Sequence, residues 1–400
     1  MSNSLSPTLR FNGHTDAWRR YKLSELTTMH ARIGWQNLRT SEFLDDGDYM
    51  LITGTDFENG RINYDTCHYV AKERYDQDKN IQIQNGSILI TKDGTLGKVA
   101  FVQGLKKPAT LNAGVFNVTV SDTDLADKRY LFHYLKAPFL MSYVNQRATG
   151  GTIKHLNQSI LVDFPVVAPQ KNEQEEIGKL LMELDETISL YEDKRKKLTK
   201  IKLSLTERIF PNSNNLAPVV DFNGSPSNWT RCELRRICNI VKGKQLGKNE
   251  MLPRGKYYVL NGGIYPSGFT NNYNVNANTI SISEGGNSCG YVCLNKHRFW
   301  SGGHNYTLQN PKIDTRYLYQ FLKHKENAIM ALRVGSGLPN IQKNRLEELE
   351  ISFPDKERQA EIGNTLQNID ALLYFYRRKL IKLNNIKSSL LSKMFVEVEA

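Results

Sequence analysis

Cysteine is scarce. Cys67, Cys232, Cys238, Cys289 and Cys293 are an odd five in 400 residues, too few and too scattered for a disulfide framework. Long hydrophobic runs are missing too. Nothing approaches the roughly 18 apolar residues of a membrane span, and the start "MSNSLSPTLRFNG" has no apolar run that could serve as a signal peptide. These absences point to a cytoplasmic protein. Catalytic signatures are equally thin. There is no DPPY or NPPY/F tetrapeptide of the kind that holds a flipped base, and no complete GxGxxG follows a strand-like run. "GKQLGKN" and "GTLGKV" lack phosphate-loop spacing and read as turns, "PDKER" has no (D/E)xK after it, and "LDETI" falls on a helical stripe. Paired carboxylates such as Glu175–Glu176 suit a helix N-terminus without a catalytic role. Cys289, Cys293, His297 and His304 contain no paired CxxC, so "TISISEGGNSCGYVCL" reads as strand, turn and strand, not as a zinc site.

Negative charge is also in short supply. There are 41 Asp and Glu against 53 Lys and Arg, a net +12 with a pI near 9.3. Such an excess favours a polyanionic partner, usually nucleic acid. With no lipidation motif or basic amphipathic start, a membrane surface is the weaker alternative. The hydrophobic share of 40% and charged share of 24% are those of a globular chain, and the length suggests two or three domains.

What is present is a repeat. "PTLRFNGHTDAW" (7–18) returns as "PVVDFNGSPSNW" (218–229), an offset of 211 shared by Arg20 with Arg231 and Leu23 with Leu234. "RYLFHYLK" (129–136) answers "RYLYQFLK" (316–323) at an offset of 187. From Gly150/Gly335 to Phe210/Phe395 the offset is 185, with 19 of 61 positions identical; composition alone gives roughly three to five. The middles, about 24–149 and 235–334, hardly align beyond "ILITKDGTLGKVAFV" against "TISISEGGNSCGYVCL". A period this long is not a solenoid repeat, so each unit has shared ends and a divergent body. Phe11, Trp18, Phe222 and Trp229 belong to the shared frame, where packing is their expected role.

The shared C-terminal parts read as helices of about 38 residues, about 57 Å long, beginning after Pro169 and Pro354. Apolar residues recur every seven: Ile177, Leu184, Tyr191, Leu198 and Leu205, matched by Ile362, Ile369, Tyr376, Leu383 and Leu390. A second stripe adds Leu181 and Ile188, matched by Leu366, Leu373 and Leu380. This is a coiled-coil seam. Arg195 and Lys202 interrupt the second stripe, so imperfect packing is expected there. The bodies mix short β-rich runs with a helix near "DKRYLFHYLKAPFLMSYVNQ". The expected fold is α+β: two globular mixed α/β bodies separated by two long antiparallel helices, one body at each end of a helical rod, with an approximate two-fold axis.

"ATGGTIKHLN" with "APQKNEQEEIGKLLMELDETI", and "GSGLPNIQ" with "FPDKERQAEIGNTLQNIDALL", together resemble the specificity subunit of Type I restriction-modification enzymes. "DGTLGKV" and "W…YKLSEL" add to the likeness, and "GGTIKHL" is the looser of the two loops. The resemblance covers essentially the whole chain. It implies a non-catalytic, cytoplasmic subunit in bacterial defence, with target recognition domains at 1–150 and 212–335 and spacer helix regions at 151–211 and 336–400. Each recognition domain would read one half of a split, asymmetric double-stranded DNA target. The helices would dock two methylation subunits, with restriction subunits joining in the full complex. S-adenosylmethionine, ATP and magnesium would belong to those partners, leaving this chain without a cofactor. The rivals are a stand-alone sequence-specific DNA-binding regulator and a scaffold that binds only proteins.

Polar residues in the turns are the candidate DNA contacts. In the first unit these are Lys92, Thr95, Lys98, Arg147, Thr149, Lys154 and His155. In the second they are Lys242, Lys244, Gln245, Asn261, Tyr265, Ser267, Asn287, Ser288, His304, Asn305, Arg333, Ser336 and Asn340. Basic members are expected on phosphate, and amides and hydroxyls on base edges.

Overall fold

The structure, a computed structural model, describes residues 5–147, 155–211, 229–335 and 339–397, with Trp35 described by its backbone alone. It divides into two compact units, Met1–Leu190 with Leu380–Ala400, and Tyr191–Lys379.

In the first unit the strand Arg19–Lys22 pairs antiparallel with Pro165–Ala168, Arg19 facing Ala168. Between these ends lie two four-stranded sheets. One runs in the order Thr27–Ala31, Val115–Val120, Ile88–Thr91, Val99–Phe101. The other runs His68–Val70, Tyr49–Ile52, Ala109–Leu111, Gln82–Ile83. Every residue of Ile88–Thr91 is buried, which explains an unbroken apolar run where a half-exposed strand would alternate.

The second unit repeats this plan. Thr230–Glu233 pairs with Glu350–Phe353, and the main sheet runs Asn239–Lys242, Asn305–Gln309, Thr279–Ser283, Val292–Asn295. A smaller sheet orders Gly268–Thr270, Tyr257–Leu260, Trp300–Ser301, and its last pair is parallel, as is Tyr49–Ile52 with Ala109–Leu111. Bodies that hardly align in sequence therefore share one main-sheet topology.

The expected single helix near "DKRYLFHYLKAPFLMSYVNQ" is two, Lys128–Lys136 and Phe139–Arg147. Pro138 between them lacks an N–H and disfavours the helical conformation of the residue before it. Asp127 caps the first of these, its Oδ1 accepting from the amides of Arg129 and Tyr130 at 2.9 and 3.0 Å. Asp314 caps Thr315–His324 in the same way at 2.8 and 3.0 Å. These caps meet the long helices Lys171–Ile209 and Lys356–Met394, each of 39 residues. At the crossings stand Gly178 and Gly363, where an added Cβ would lie 2.8 Å from the amides of Tyr130 and Tyr317.

The two long helices pack together. In the second unit Tyr191 lies 5.7 Å from Tyr376, centroid to centroid, and Lys202 bonds Asp370, so the helices run antiparallel. Ile177, Leu181, Ile188, Ile362, Leu366 and Leu380 are buried, while Leu184, Tyr191, Leu198, Leu205, Ile369, Leu373, Tyr376, Leu383 and Leu390 are half-buried. Two helices alone leave the outer edges of such a seam in water. Lys202 is no defect in packing, because Asp370 takes it up at 2.5 Å. Its counterpart Lys387 pairs with Asp185 in the first unit, where His133 and Lys136 adjoin the same carboxylate. Burial pushes the Asp185 carboxyl up, but Lys136 and Lys387 outweigh it and hold the group below its usual range. Burial also drives His133 down to about 3.

Trp18 is buried edge-on against Tyr130, Phe11 is partly buried in the same core, and Trp229 lies against Tyr317. These are packing positions. Phe222 lies outside the described residues.

Candidate nucleic-acid interface

In both units the central strand of the main sheet ends in a tight turn with a left-handed glycine, Gly94 (φ 69°) in the first and Gly286 (φ 75°) in the second. Just before that glycine, Lys92 and Glu284 hold the same place. The Lys92 amide donates to Gly114 O and its carbonyl accepts from Leu156 N, at 2.9 and 2.8 Å. The Glu284 amide donates to His304 O and its carbonyl accepts from Ile341 N, at 3.0 and 2.8 Å.

Around the first turn the structure brings together Lys92, Thr95, Lys98 and His155. The Lys92 ammonium lies over the Phe116 ring, 5.5 Å from its centroid. His155 Nδ1 pairs with the Asp93 carboxylate. The Thr91 hydroxyl donates to Thr95 O and accepts from Lys98 N, which fixes the loop while Thr95 and Lys98 point their exposed side chains outward. Arg147 stacks over Tyr143 at 3.6 Å, on the helix whose Met141 lies against Gly97. Thr149 and Lys154 lie outside the described residues.

The second turn gathers Lys242, Lys244, Gln245, Asn261 and His304. Lys242 Nζ donates to Glu284 Oε1 at 2.6 Å, and the phenol of buried Tyr306 donates to the same oxygen at 3.0 Å. Burial and that carboxylate push the Tyr306 phenol up. Lys244 N bonds Ser301 O, and His304 N donates to Asn261 Oδ1 at 3.2 Å. Gln245 lies against Gly303. Asn287 and Ser288 lie in the Gly286 turn itself, and Asn340 bridges to Gly285 and to Val334 beside it. Arg333, next to Val334, is exposed. Tyr265 and Ser267 are exposed in the loop 261–267, Tyr265 at 78%.

Asn305 differs from the rest: it is buried and donates to Ser301 Oγ at 3.0 Å, which gives it a structural place inside the turn. Ser336 lies outside the described residues. Sequence reasoning missed Glu284, Tyr306 and Asp93. Setting "ITKDG" against "ISEGG" would have put Glu284 opposite Lys92 and drawn attention to it.

Among the described residues no group of three or more His, Cys, Asp or Glu could hold a metal. Cys289 is buried, its thiol donating to Glu284 O and pushed up by burial. No helix among the described residues is long and apolar enough to cross a membrane.

Similarity to known proteins accords with this duplicated frame. A putative type I specificity subunit of Mycoplasma genitalium is 40% identical over 150 residues, covering 36% of this chain and 39% of that protein. One from Mycoplasma pneumoniae is 38% identical over 162 residues, covering 40% and 43%. The chain thus spans about two fifths of the length of these relatives. A putative type I restriction enzyme specificity subunit of Methanocaldococcus jannaschii aligns over 84% of this chain and 83% of its own at 22% identity. The crystal structure of a Type I restriction-modification S subunit from M. genitalium superposes with a TM-score of 0.76 at 21% identity, covering 98% of this chain and all of the other; at that identity it speaks for the fold. The profile of the Type I restriction modification DNA specificity domain matches twice, at residues 15–200 and 226–385, so the chain belongs to that family.

Proposed function

We propose that this chain is the DNA-reading subunit of a Type I restriction-modification complex, each body reading one half of a split, asymmetric duplex target. The observation that carries the proposal is one frame used twice with different side chains at the same rim: Lys92 over Phe116 in one body, Glu284 with Tyr306 and Lys242 in the other. A frame kept constant supports the same task. A changed rim supports a different base sequence in each half. The basic excess supplies phosphate affinity.

The long helices then act as spacer and dock. Leu190 and Ile386 in the first unit, and Ile201 and Phe375 in the second, are 41–54% exposed. Leu190 with Phe375, and Ile201 with Ile386, are matched at the 185 offset, so each unit carries an equivalent apolar pair. Two equivalent patches suit two copies of one partner, here a methylation subunit. The adenosyl donor, nucleotide and magnesium belong to partners, and this chain performs no chemistry.

The test is selection of 40-bp duplexes with a random core by the full chain together with the subunits that co-purify with it. Two conserved blocks separated by a spacer are expected, with affinity falling steeply as salt rises. Exchanging residues 235–334 for a relative's should change one block alone; a change in both overturns the two-reader proposal. A stand-alone regulator would select as tightly without partners, and a protein scaffold would show no salt-dependent binding.

A further inference from the structure

Glu284 is out of place for a DNA-facing rim. A carboxylate repels phosphate, and burying one carries a desolvation penalty that only close partners offset. Yet Glu284 is 8% exposed, at the end of the strand Thr279–Ser283, with its backbone tied on both sides. The fold does not require it, because the first unit builds the same frame with Lys92.

The register shows what has been exchanged. Phe116 faces Ile90 and Ala31, while Tyr306 faces Ile282 and Lys242. Phe116 and Tyr306 are therefore counterparts, as are Ala31 and Lys242. Each unit places one lysine ammonium at this spot. In the first it comes from the residue just past the end of the central strand and rests on an aromatic face. In the second it comes from an outer strand, Asn239–Lys242, and is held by Glu284. The other carboxylate oxygen, Oε2, is buried and accepts no hydrogen bond among the described residues. It stands 3.7 Å from Nδ1 of His304, whose side chain is 65% exposed. One oxygen thus holds Lys242 and Tyr306, and the second faces His304.

We propose that Glu284 is a positioning residue for sequence reading. It fixes Lys242, with His304 beside it, so that their donors meet the O6/N7 acceptor edge of a guanine instead of wandering to phosphate. An ammonium on a flexible four-carbon stem is a poor reader unless something limits where it can go. The buried carboxylate supplies that limit. This inference rests on the DNA-reading role proposed above.

The experiment is the same random-core selection, run with wild type, Glu284→Gln and Lys242→Met. Wild type is expected to enrich a guanine in the block assigned to residues 235–334. In Glu284→Gln that preference should fall about tenfold or more, the other block staying intact. Affinity for unselected duplex should hold or rise, with a salt slope steeper by about one as the freed lysine reaches phosphate. A packing residue would not steepen the slope. Lys242→Met should lose the same guanine with no steeper slope. Should Glu284→Gln fail to fold, Lys242→Met decides alone: a guanine lost from one block supports the proposal and a guanine retained overturns it. A Glu284→Gln preference within twofold of wild type also overturns it. If wild type enriches no bipartite target, the DNA-reading role falls, and this inference with it.

Discussion

Lys202 of the first long helix donates to Asp370 of the second at 2.5 Å, and Asp370 also accepts from Gln320 at 2.7 Å. The first unit repeats the pair as Lys387 with Asp185, both side chains 12% exposed. Breaking a buried pair strands the remaining charge, while removing both partners does not. Asp185→Leu should destabilise the protein by about 3 kcal/mol, and adding Lys387→Leu should recover part of it, because Lys136 still lacks its carboxylate. Urea midpoints for the two singles and the double form the cycle. Simple additivity would mean the pair is not coupled.

His133 sets a pH dependence. Its folded value of about 3 lies below the usual 6.5 of an imidazole, so the unfolded chain binds the proton first as pH falls. Stability should be full above pH 6.5 and decline below it, by up to about 1.4 kcal/mol per pH unit. Asp185, also depressed, adds loss in the same direction as pH falls from the ordinary carboxylate range to its folded value. Gln320 holds the matching place in the second unit and donates to Asp370. His133→Gln should therefore fold well and flatten the profile between pH 6.5 and 4, as followed by urea unfolding at each pH.

Gly178 and Gly363 test the duplication. An added methyl would press on the amides of Tyr130 and Tyr317, backbone atoms that cannot swing aside. Gly178→Ala and Gly363→Ala should each cost about 1–3 kcal/mol despite the better helix propensity of alanine. Thermal unfolding of the two variants should show losses of similar size.

The exposed apolar pairs test the docking role proposed above. Leu190→Glu with Ile386→Glu should remove one copy of a methylation subunit, and Ile201→Glu with Phe375→Glu the other. The mass of the purified complex would report each loss. An unchanged mass in both variants would place the dock elsewhere.

Much of the frame was legible because it is local. Sevenfold spacing from Ile177 to Leu205 specifies a helical stripe, and Pro169 and Pro354 mark where the helices begin. Other features depend on residues far apart in the chain. Lys202 looked like an interruption because Asp370 is 168 positions away. The shared sheet of the two bodies was hidden for a related reason. Main-chain pairing such as Phe116 with Ala31 and Tyr306 with Lys242 keeps its geometry through changes of side chain. Glu284 escaped notice because a carboxylate argues against a DNA surface until its lysine and tyrosine partners are seen.

Arg19 pairs with Ala168, and Thr230 with Phe353, so each body leaves and rejoins the frame at one two-stranded seam. A body can then be excised and replaced by another with both cut ends already adjacent. The pairing that closes each body thus lets one body be exchanged without rebuilding the rest of the frame.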